Sequence, residues 1–162
     1  MTYEITLVRV GTDSATVAEA LDLLNAGFDP DADPDPLRLT DGERAGWDRL
    51  LDRVTREIGP VEPQEYPYSL SFWSDGPHGS VLFQYYGNTA AIEIPYRWSG
   101  PAALPVMELA YRIARLAEDE CGLTGHDFEV DQPTRTGDPV RAATLFGGVT
   151  DWAHRHIAGR PA

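Results

Sequence analysis

The residue types that could do chemistry fall in a few short stretches. Asp29, Asp31 and Asp33 alternate as the first three ligands of an EF-hand calcium loop do. The pattern then breaks, because Pro34 stands where the sharp turn needs Gly and Thr40 where a bidentate Glu belongs. With Pro30, Pro34 and Pro36 removing backbone donors, this stretch reads as an extended acidic surface loop. In a strand spanning His126 to Val130, Asp127, Glu129 and the following Asp131 would share one face. Three aligned carboxylates suit a hard cation, but without convergent ligands they read better as the wet face of an edge strand. His154 and His156 are two apart, which on a helix points them to different faces, unlike a zinc pair at four-residue spacing. No metal site and no cofactor is expected.

Nucleophiles fare no better. Cys121 is the single cysteine and follows Glu118, Asp119 and Glu120 near a predicted helix end. Both the negative end of the helix dipole and those carboxylates disfavour a thiolate, so packing is the better reading. There is no Gly-x-Ser-x-Gly elbow, phosphate-binding glycine loop or dinucleotide fingerprint. Carboxylate pairs such as Glu62 with Glu93 can meet only in three dimensions, and the spacing selects none of them for acid–base work. No catalytic residue emerges, and the reading leans away from an enzyme.

One segment stands out. Residues 68–98 are rich in aromatics, and strand alternation gathers Trp73, Leu82, Gln84, Tyr86, Glu93 and Arg97 on the face opposite Ile92 and Ile94. Trp, Tyr and Arg are enriched where proteins meet proteins. An aromatic face with a few polar groups can also line a small-molecule pocket. Either reading requires the face to be open, whereas a first or last helix lying across it would bury it.

The elements that position these residues follow from periodicity. Tyr3 to Val10 reads as a strand. Ser14 caps a short helix carrying Val17, Ala18, Leu21 and Leu24, which Gly27 stops. Thr40 and Glu43 fit a capping box ahead of Trp47, Leu50, Leu51, Val54 and Ile58. Asp52 and Arg56 can pair on the wet side of that helix. Three strands follow as a meander: Tyr68 to Ser74, Ser80 to Tyr86, and Thr89 to Trp98. Gly87-Asn88 forms the hairpin, and Pro95 favours an edge position or a bulge. A long helix runs from Ala102 to Cys121 and ends at Gly122. The short strand from His126 and a last helix begun by Asp138-Pro139 complete the order, with a weak point or kink at Gly147-Gly148. Contiguous strands beside grouped helices make the class α+β: one domain spanning residues 1–162, with an antiparallel sheet and a central three-strand meander packed against three to four helices.

Composition bounds the function. At 162 residues with 42% hydrophobic content the chain can bury a core without staples. The formal net charge is −13 and every basic side chain is Arg, with no basic cluster, which argues against nucleic acid. No apolar run approaches the length of a membrane span, and Thr2-Tyr3-Glu4 does not resemble the start of a secretory signal. A cytoplasmic protein with no membrane partner is expected.

The segment from Met107 to Pro133, with Gly122-Leu123-Thr124, His126-Asp127 and Gln132-Pro133, resembles small uncharacterised bacterial α+β proteins, some similar to immunity proteins of toxin systems. Those often end a helix in Gly-Leu before a Tyr-Asp-Pro-Gln strand start. Here His126 replaces Tyr and Phe128 replaces Pro. The resemblance implies no catalytic residue. It fits an acidic partner-binding protein better than an enzyme. Joined to the aromatic face, the first reading is a non-enzymatic protein that binds another protein, a basic toxin for instance, through an acidic rim and the face holding Trp73, Gln84, Tyr86, Glu93 and Arg97. Self-association through that face, and a ligand or enzyme pocket between sheet and helices, are the alternatives.

Overall fold

The computed structural model describes residues 1–11 and 16–157. It is an α+β fold. The strands are β1 (Thr2–Val8), β2 (Glu62–Glu65), β3 (Leu70–Gly76), β4 (Gly79–Tyr85), β5 (Thr89–Pro95), β6 (Thr124–Asp127) and β7 (Gln132–Pro133). The helices are α1 (Val17–Asn25), α2 (Asp41–Glu57), α3 (Ala103–Cys121, led by a 3-10 turn at Gly100–Ala102) and α4 (Pro139–Ile157). All strands join one antiparallel sheet in the order β2-β3-β4-β5-β1-β6-β7. The meander β3-β4-β5 is its centre, and β1 returns to lie against β5.

Alternation decides which layer each side chain joins. Tyr3, Ile5, Leu7, Phe72, Phe83, Ile92 and Ile94 share one core with α2, α3 and α4. Trp47 of α2 anchors that core: its ring stacks on Tyr85 at 5.6 Å and Phe83 at 6.2 Å and tilts against Phe72 at 5.9 Å. Val8 points the other way, into a separate small cluster with Val17 and Ala20 of α1. Three long helices therefore stack on one face, and nine-residue α1 alone crosses the other.

Local chemistry explains most boundaries. The Thr40 hydroxyl accepts the Glu43 amide at 3.1 Å to start α2. The Glu43 carboxylate answers to the Thr40 hydroxyl and not to its amide, so only half of the capping box forms. Gly122 takes the left-handed conformation at φ 64° that ends α3. Asp138 Oδ1 accepts the Val140 amide at 2.9 Å to begin α4.

Several expectations need correction. Pro95 sits at the end of a central strand, opposite Thr2, and not on an edge. The α1 cap is Thr16; Ser14 lies outside the described residues. Asp52 and Arg56 form no ion pair among the described residues; Arg53 of α2 instead reaches Glu57, Asp119 and Glu120. Helix α4 runs through Gly147 and Gly148 without a break. The strand from His126 ends at Asp127, and Asp127 turns inward, fully buried, instead of lining a wet face with Glu129 and Asp131. There it accepts the Tyr3 hydroxyl at 2.7 Å, the Tyr111 hydroxyl, and the Glu129 amide at 3.1 Å. Gln132 extends this network, donating to Tyr111 at 2.6 Å and to the Asp138 carbonyl at 2.9 Å.

Both sheet edges are short and carry a proline, Pro63 in four-residue β2 and Pro133 in two-residue β7. Such edges are poor templates for strand addition. Among the described residues no helix is long and apolar enough to cross a membrane.

Candidate functional site

The register builds the face opposite the three helices row by row. From β2 to β1, one row reads Glu62, Trp73, Leu82, Glu93, Glu4. The next reads Gln64, Ser71, Gln84, Ala91, Thr6 and, on β6, His126. Trp73 is 40% exposed and Tyr86 36%, large values for side chains of their size on a sheet. No long helix covers them. Their residue types would normally be buried here, so the face is an exposed aromatic surface of the kind that marks contact sites.

Under α1 this surface deepens into a groove of about 460 Å³. Its floor includes Glu4, Thr6, Gln84, Ala91 and Glu93; Tyr86 and Asn88 stand at the hairpin end, and Leu21, Leu24 and Asn25 of α1 form the overhang. Glu4 and Glu93 are direct cross-strand partners, with side chains about 5 Å apart at their roots. Burial in the groove raises the Glu4 carboxyl above the ordinary range, and the charges of Glu93 and Glu129 push it further, against a lowering hydrogen bond from Thr6. The Tyr86 hydroxyl is raised too, by burial first and then by Glu93 and Glu4. Among the described residues no basic side chain lines the groove.

Several arginines are engaged away from this groove. Arg44 pairs with Glu65, Arg49 with Glu120, and Arg135 with Glu118 and Asp119, tying α2 to β2 and to α3, and the loop after β7 to α3. Among the described residues the opposed carboxylates meet no cation, and an incoming ammonium or guanidinium would relieve the repulsion between them.

Of the residues singled out from sequence, Gln84, Tyr86 and Glu93 come together in the groove. Trp73 stands beside Leu82 on the open shelf next to it. Arg97 does not join them: β5 ends at Pro95, the Arg97 amide turns back to the Pro95 carbonyl at 2.8 Å, and the side chain is exposed beyond the strand end. Glu62 and Glu93 share a row but are separated by β3 and β4, about 14 Å at sheet spacing, too far to act as one acid–base couple. The residue that does meet Glu93 is Glu4, which sequence reasoning left inside the first strand. The signal was a carboxylate at an every-second position between Tyr3 and Ile5, but its partner depends on β1 lying next to β5.

The other candidates are placed plainly. Asp29 is exposed and its Oδ1 accepts the Asp31 amide at 3.0 Å, a turn and not a ligand cage. His156 stacks on Trp152 at 4.7 Å and contacts the Trp152 carbonyl, while His154 is exposed. Cys121 is buried, and burial pushes its thiol up to about 12, which suits packing and not nucleophilic attack. No protein-family model, curated protein or solved structure matches the chain.

Proposed function

We propose that this is a non-catalytic, cytoplasmic interaction protein that receives a basic partner protein on its open sheet face. The observation that carries the reading is that face itself: Trp73 and Tyr86 exposed beside the opposed Glu4 and Glu93, with no cation among the described residues between them. A partner's arginine or lysine enters between the two carboxylates, Gln84 hydrogen-bonds beside it, and the aromatics exclude water around the contact. The formal charge of −13 draws the partner in and speeds encounter. Arg97, past the end of β5, meets an acidic group at the rim. The short proline-bearing edges favour docking on the face over strand addition. The resemblance to immunity proteins of bacterial toxin systems supplies the kind of partner, a basic toxin.

The test is affinity capture from the source cells with wild type, Trp73→Ala and Glu93→Arg run in parallel. Wild type is expected to retain one basic protein, released by salt, and both variants to lose it while keeping their circular dichroism. Capture unchanged by either substitution would refute this use of the face.

A second reading rests on the groove volume, which lies within the small-ligand range of roughly 300–1,000 Å³. A cationic small molecule held by Glu4 and Glu93 would raise thermal stability equally in wild type and Trp73→Ala, since Trp73 does not line the groove. A screen of amines that shifts neither protein removes this reading.

A further inference from the structure

Helix α4 has two apolar faces, and the fold uses one of them. Ala142, Ala143, Phe146, Thr150 and Ala153 are buried, with Phe146 stacked on Tyr96 at 5.0 Å. On the outer side Leu145 is 37% exposed and Trp152 52%, and they flank a mostly apolar groove of about 710 Å³ with Gly148 at its middle. The spacing 141, 145, 148, 152 is that of a helix–helix seam.

The two adjacent glycines of α4 differ in what explains them. A Cβ on Gly147 would come 3.3 Å from the Ala103 methyl group, so close packing against the start of α3 accounts for it. A Cβ on Gly148 would meet nothing within 4 Å. Glycine is among the poorest residues for a helix interior, and nothing inside the molecule requires it there. The open space beside it would admit a second backbone from outside.

Charge names the occupant. Helix α4 holds Arg141 and Arg155 against Asp151, close to neutral in a chain of charge −13, so the acidic repulsion between two copies is small along this helix. Arg141 and Glu129 both line the groove. Neither has an ion-pair partner among the described residues. One free cation and one free anion lining the same groove form a self-complementary set, which a twofold interface needs.

We infer that the outer face of α4 is a homodimer seam, two copies crossing at Gly148 with Leu145 and Trp152 interleaved and Arg141 of each copy paired with Glu129 of the other. One helix face per copy is a small contact, so dissociation constants on the order of 10 µM are expected. The seam lies on the helix layer and leaves both open sheet faces free, so it stands or falls separately from the partner proposal.

Sedimentation velocity on the full chain over a wide concentration range tests it. Wild type is expected to shift from monomer to dimer. Trp152→Glu and Gly148→Leu are expected to weaken the dimer at least ~10-fold, while both sites, being exposed, leave the fold intact. Arg141→Glu should weaken it and the double swap Arg141→Glu/Glu129→Arg should restore it, a rescue that a merely structural role would not show. Trp73→Ala should change nothing. A monomer at every concentration, a dimer indifferent to Trp152→Glu, or a dimer lost in Trp73→Ala would each overturn the proposal.

Discussion

The two faces of the central sheet are built from the same strands yet solve opposite problems. Toward α2, α3 and α4 the strands present mostly apolar and aromatic side chains, and Trp47, Phe72, Phe83 and Tyr85 stack into a continuous slab. Polar groups on that side are fully partnered where they matter most: buried Asp127 accepts from two tyrosines and a backbone amide. The opposite face keeps Trp73 partly in solvent and sets two glutamates side by side with no cation between them among the described residues. One face is arranged for internal satisfaction and the other is left unsatisfied, and an unsatisfied face with aromatic area is what a partner completes.

The contrast can be broken from the covered side first. Trp47→Ala removes the anchor of the slab and is expected to cost about 3–5 kcal/mol in chemical denaturation. Asp127→Ala should come next, at about 3 kcal/mol, because it strands the buried hydroxyls of Tyr3 and Tyr111. On the open face Trp73→Ala should change stability by no more than about 0.5 kcal/mol while lowering partner affinity by more than ~10-fold. A stability loss at Trp73 as large as that at Trp47 would erase the distinction between the faces.

Glu4→Gln sharpens the comparison through pH. The folded protein holds a proton on Glu4 more tightly than the unfolded chain does, so this group adds stability at low pH and withdraws it as pH rises through and above the ordinary carboxylate range. The variant should therefore be more stable than wild type at neutral pH by about 0.2–1 kcal/mol, a modest gain because the groove is partly solvated, and indistinguishable from it in acid. The smallest effect concerns Cys121: its buried thiol should resist alkylation in the native protein at pH 8 and react once the chain is unfolded.

Much of this architecture was legible where local chemistry decides. Thr40 and Glu43, the Gly87-Asn88 hairpin, Gly122 and Asp138-Pro139 mark their boundaries through hydrogen bonds within a few residues. The alternation from Leu70 to Ile94 placed Trp73, Gln84, Tyr86 and Glu93 on one face. What was not legible depends on distant pairing. β2 is Glu-Pro-Gln-Glu, four exposed residues that become a strand only because β3 offers its edge. Asp127 looked like surface because its burial rests on Tyr3 and Tyr111, 124 and 16 residues away. The meeting of Glu4 with Glu93 follows from the return of β1 to β5, and the openness of the face from where α1 and α4 dock, neither of which any local window contains.

The central claim is that the partner sits on the open sheet face. Hydroxyl-radical footprinting of the protein with and without its captured partner tests it most directly, because Trp73 and Tyr86 report that face and Trp152 reports the helix layer. Protection of Trp73 and Tyr86 with Trp152 unchanged is the expected result. Protection at Trp152 with Trp73 and Tyr86 still fully reactive would contradict the account.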